Sequence, residues 1–129
     1  HYAVLLASKK ALASNHAGIV GFLEGWILTQ NIMSGTSPAD KVAFATIASK
    51  ANGDAFQVAL NAINVYQSFH YWVNDDGLNQ DQMMSQLNQL VQVGSVKADK
   101  KPTYAQIVDK QPYAEALKKV EAEFGSIGK

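Results

Sequence analysis

Apolar positions along the chain recur at helical spacing in one segment after another, and runs that alternate with period two do not appear. Residues 2–13 are rich in Ala and Leu and suit a short first helix. Ser14 or Asn15 can cap a second, from about His16 to Met33, that stops at Ser34-Gly35. Ser37, Pro38 and Asp40 form a start signal of N-cap, first-turn proline and first-turn acid for a third, which Asn52-Gly53 closes. Asp54 is placed to cap a fourth over about 55–73, and Asn74-Asp75-Asp76-Gly77 ends it. A fifth opens at Asn79 and gathers Met83, Leu87, Leu90, Val91 and Gly94 on one side. Residues 95–102 read as a charged loop, Thr103 with Gln106 as a capping box, and Pro112 as the start of a last helix that stops at Gly125.

The pattern therefore predicts an all-α protein: a compact bundle of about six helices, antiparallel or orthogonal. Residues 54–74 carry apolar side chains round most of the helix, with Phe56, Ala59, Leu60, Ile63, Tyr66 and Val73 on one side and Val58, Ala62, Val65, Phe69 and Trp72 on the other. Only Gln57, Asn61, Asn64 and Ser68 make a polar stripe, so this segment is expected at the centre. A chain of 129 residues fits a single domain over 1–129.

Charge adds an asymmetry. Of the 11 basic and 11 acidic residues, ten lie in 1–96 and twelve in 97–129, which sets off a charge-rich C-terminal part holding the last helices. All 11 basic residues are Lys and the formal net charge is zero, so neither an arginine fork nor a basic surface favours nucleic acid. Without Cys there is no disulfide, thiolate nucleophile or thiolate-held zinc. No stretch reads as a membrane span, since the longest apolar run, Ala17 to Leu28, contains Glu24. The chain reads as soluble, with the compartment left open.

Candidate chemistry is sparse. Gly18, Gly21 and Gly25 fall within about 60° of one another on the second helix, a smooth stripe expected to receive a crossing helix, a partner or a ligand. Glu24 beside it is the one formal charge between Lys10 and Asp40, and reads either as the solvent edge of that helix or as a functional acid. His16 and His70 lack any spacing that would put two ligands on one helical face, so no metal and no cofactor are expected. WVNDDGLNQDQM fails as a calcium loop, because aligning Gly77 to its glycine puts Trp72 and Met83 at ligand positions.

Three functions follow from these residues. The first is a non-catalytic protein-interaction module that self-associates or meets another protein, the physical profile of small bacterial adaptors, secretion chaperones and toxin-neutralising partners. Gly21, Gly25, Trp26, Tyr66, Phe69 and Trp72 are its candidate contact residues. The second is a carrier of a small apolar molecule between the second, fourth and fifth helices, walled by Trp26, Tyr66, Phe69 and Trp72, with Met83, Met84 and Glu24 at its edge. The third is an enzyme that uses Glu24 with His16 or His70 as acid and base.

Overall fold

A computed structural model describes residues 5–35, 37–72 and 75–127. Those residues form seven α-helices and one 3-10 turn and no strand: α1 (Lys9–Ser14), α2 (His16–Ser34), α3 (Pro38–Asn52), α4 (Phe56–Ser68), α5 (Gln80–Gln92), the turn Ala98–Lys100, α6 (Tyr104–Ile107) and α7 (Gln111–Phe124).

Side-chain caps set three of the starts. Ser8 Oγ accepts from the Ala11 N–H at 3.0 Å, so α1 begins at Lys9. The stretch 5–8 of the expected first helix is not helical, and residues 2–4 lie outside the described residues. Ser37 Oγ accepts from Asp40 N–H at 3.3 Å with Pro38 in the first turn, and Asn79 Oδ1 accepts from Gln82 N–H at 3.0 Å. Gly53 closes α3 at φ 76°, a left-handed backbone that suits glycine. Asp54 does not cap α4; Ala55 holds that position, and the Asp54 carbonyl instead accepts from Ser49 Oγ at 2.6 Å.

Two apolar clusters join α2, α3, α4 and α7. Val20 and Ile27 of α2 meet Ala116 and Val120 of α7, with Leu23, Leu28, Tyr113, Leu117 and Ile127 around them. Met33 at the end of α2 meets Ala45 of α3 and Ala59 and Ile63 of α4, backed by Phe44, Ala48, Leu60 and Trp72. Thus α2 belongs to both clusters and touches α1, α3, α4 and α7, whereas α4 touches α3 and α2. The core is organised around α2 rather than around 54–74, and α4 is shorter than the sequence suggests. The physical reason lies at its end, where His70 adopts φ 49°. Its N–H donates to Gln67 O at 3.0 Å and the Tyr71 N–H to Tyr66 O at 3.1 Å, the paired bonds of a Schellman stop.

Candidate functional site

On α4 only the stripe of Ala59 and Ile63 is buried, with Leu60 and Gln67 beside it. Val58, Ala62, Val65 and Phe69, spaced four, three and four residues apart, lie on the opposite side. Val58 is 58 % exposed, Val65 53 % and Phe69 75 %. This spacing is that of a helix–helix seam, and no helix of the described chain covers it.

At the C-terminal end of this face three rings close on one another. Tyr66 and Tyr71 have centroids 5.1 Å apart, Tyr66 and Trp72 5.4 Å, and Tyr71 and Trp72 5.7 Å, the last two edge to face. The Tyr66–Tyr71 contact is the apolar partner of the Schellman stop, and Trp72 anchors the group on the second cluster. Rings this close fill the space between them, so the trio is a packed platform and not a cage. Phe69 and Trp26 stand outside this ring contact. Residue Val73, expected on the same helix, lies outside the described residues.

Gln67 has a role that the sequence pattern did not single out. Its Nε2 donates to Met33 O at 2.7 Å and to Gly35 O at 2.9 Å, so α4 satisfies carbonyls at the end of α2 that have no partner in their own helix. A lone amide on the otherwise apolar core side of the helix, apart from its polar stripe, was the signal available for it.

The glycine stripe is open. An added Cβ would meet nothing within 4 Å at Gly21 or Gly25, and at Gly18 it would meet only the Asn15 side chain at 2.5 Å. The crossing helix expected over this stripe is therefore not found, because α2 turns Val20 and Ile27 toward α7 and leaves the opposite side to solvent. Phe22, 59 % exposed, and Trp26, 42 % exposed, flank the stripe on that open side.

Glu24 lies on the α2–α7 seam, where its Oε1 meets Lys119 Nζ at 3.3 Å. Lys119 also meets Glu115 at 3.4 Å, and Glu115 meets His16 Nε2 at 2.8 Å, so His16, Glu115, Lys119 and Glu24 form one chain of polar contacts. The bond from His16, reinforced by Lys119, holds the Glu115 carboxyl below its ordinary range, and the bond to Glu24 leads the effects that push Lys119 up. About half of each of the His16, Glu115 and Lys119 side chains is in water, so this network contributes little to stability and excludes no solvent from a reacting group. His70, the other basic candidate, is committed to the end of α4.

A second polar group joins the loop after α4 to the segment before α7. Asp76 meets Lys110 at 2.7 Å, and the Tyr104 hydroxyl donates to Leu78 O. Asp75 and Asp76 also accept from the N–H groups of Gly77 and Leu78 at 2.7 and 2.9 Å. Burial works against the charge on Asp76, but the Lys110 bond, the Leu78 N–H and the Lys110 field outweigh it and lower the pKa. Burial pushes the Tyr113 phenol up, and the nearby Asp75 and Asp76 add to this. Among the described residues no three His, Asp or Glu side chains gather as a metal site would require. No described helix is long and apolar enough to cross a membrane.

Met83 and Met84 are half-buried on α5, which packs against α6. Compared with protein-family models, curated proteins and solved structures, the chain matches none of them.

Proposed function

We propose that this chain is a non-catalytic helical interaction module that binds protein through the outward face of α4. The observation that carries this reading is the row Val58, Ala62, Val65 and Phe69, apolar and spaced as a seam, on the side of α4 turned away from its own core. Isolated exposed apolar residues are ordinary, but a contiguous row at seam spacing marks a contact surface. The open side of α2, with Gly21, Gly25 and Trp26, is a second smooth surface that a partner's backbone could approach closely. Adaptors and chaperone-like proteins work through such faces without chemistry of their own. The packed rings of Tyr66, Tyr71 and Trp72 support a contact platform over a carrier pocket. The pairing of Glu24 with Lys119, in a network whose other members are about half in water, supports binding over catalysis.

Photo-crosslinking in the producing cell tests this. With Phe69 replaced by p-benzoylphenylalanine the chain should form discrete protein adducts, and with the same replacement at exposed Glu121 of α7 it should not. Adducts equally strong at both positions, or at neither, would overturn the reading.

A further inference from the structure

Resting on the interaction reading above, we infer that the occupant of the α4 face is a second copy of this chain, its own α4 lying antiparallel across the first. Three observations lead there.

The first is charge. Residues 55–72 contain no Lys, Asp or Glu, so two copies of this face bring no like charges together. An acidic or basic partner would give up hydration here and find no counter-charge. A neutral apolar surface is what the face accepts, and it is also what the face presents. That is the self-complementarity a two-fold dimer requires.

The second is shape. If the two-fold axis passes between Ala62 and Val65, then Val58 meets Phe69 of the second copy and Ala62 meets Val65. Each larger side chain faces a smaller one. A parallel pair would set Phe69 on Phe69 and Ala62 on Ala62, a bulge beside a gap, and would also align the two helix dipoles unfavourably. The antiparallel pair further brings the exposed Asp54 at the start of one α4 toward His70 at the end of the other.

The third is area. Aromatic side chains carry roughly 150–250 Å² each, so the exposed parts of Val58, Ala62, Val65, Phe69, Tyr66 and Tyr71 come to something on the order of 500 Å². That is at the upper end of what monomers leave open, about 300–600 Å². With a polar rim of Asn61 and Ser68 it approaches the roughly 800 Å² that each partner covers in a stable complex. Along α4, 13 residues and so about 20 Å long, one such contact has room to form.

Sedimentation velocity over a concentration series tests the pairing. The wild-type chain should move from 14.0 kDa toward twice that mass and stop there. Ala62→Glu and Val65→Lys each place a charge in the apolar seam and should weaken self-association by roughly a hundredfold. Both positions are exposed, so circular dichroism should show unchanged helix content. Mixed together, the two variants should form a dimer again, because the antiparallel register sets the introduced carboxylate of one chain against the introduced ammonium of the other. Singles that still dimerise would overturn the assignment to this face, and a mixture that stays monomeric would overturn the antiparallel register. A ladder of species beyond the dimer would mean head-to-tail contact and end the inference. A wild-type monomer whose position 69 still cross-links to a different protein also ends it, yet leaves the interaction reading standing. A monomer with no such cross-link ends both.

Discussion

His70 illustrates how a single backbone angle decides what a side chain is for. At φ 49° it occupies the left-handed region, which costs an L-residue roughly 1–2 kcal/mol and which glycine enters freely. In return the His70 and Tyr71 N–H groups satisfy carbonyls in the last turn of α4, and Tyr71 folds back onto Tyr66. His70→Gly should therefore raise the thermal midpoint by the equivalent of about 0.5–1 kcal/mol, and the β-branched His70→Val should lower it. A scan in which glycine destabilises more than valine would show that the ring, and not the backbone, holds the turn. Sequence offered little warning, because stops of this kind usually announce themselves with Gly or Asn. Where the chain uses conventional signals they were legible: Ser37 with Pro38, Gly53, Asn79 and Thr103 with Gln106, whose Oε1 accepts from the Thr103 N–H at 2.8 Å.

Among the elements, α2 and α4 exchange the roles that their composition suggests. The apolar circumference of 54–74 argued for a central rod, but composition counts how much apolar surface a helix carries and not how much its neighbours reach. Among the described residues α3 and α2 are the helices that pack on α4, and the surplus became the outward seam. The glycines of α2 misled in the same way. They fitted a close helix crossing, yet the neighbour they anticipated packs on the other side of the rod. Because an added methyl at Gly21 or Gly25 meets nothing, Gly21→Ala and Gly25→Ala should each stabilise α2 by about 1 kcal/mol in the isolated chain, measured by denaturant midpoint. Loss of stability would mean that something covers this side. Of the candidate contact residues, Tyr66 and Trp72 do come together, while Trp26 lies on a different helix and Phe69 projects beyond them. Which residues are apolar was readable; which of them would lack a neighbour was not, since that depends on how far the rods lie from one another.

For the whole molecule, the charges predict how stability varies with pH. Asp76 and Glu115 are held below their ordinary 3.8 and 4.5, so what they contribute is present above those values and is lost as pH falls through the lowered ones. Lys110 and Lys119 are raised above 10.5 and Tyr113 above 10.0, so their contributions are intact below those values and disappear as pH rises through the raised ones. Urea midpoints should form a plateau between about pH 5 and pH 9 and decline on both sides, modestly and less so in high salt, because most of these groups face water. A midpoint that changes steeply inside the plateau would show that another group governs folding.

The joining of α2 to α7 also has a meaning in time. His16 and Glu115 are 99 positions apart, and Val20 and Ile27 find their cover in Ala116 and Val120. During synthesis the helices of the second cluster emerge together and settle against one another early, since their contacts span short stretches of chain. The first half of α2 has to wait. Until the ribosome has released residues 111–124, its apolar side lacks the helix it lies against, so the nascent chain carries an uncovered greasy rod while residues 35–110 are being added.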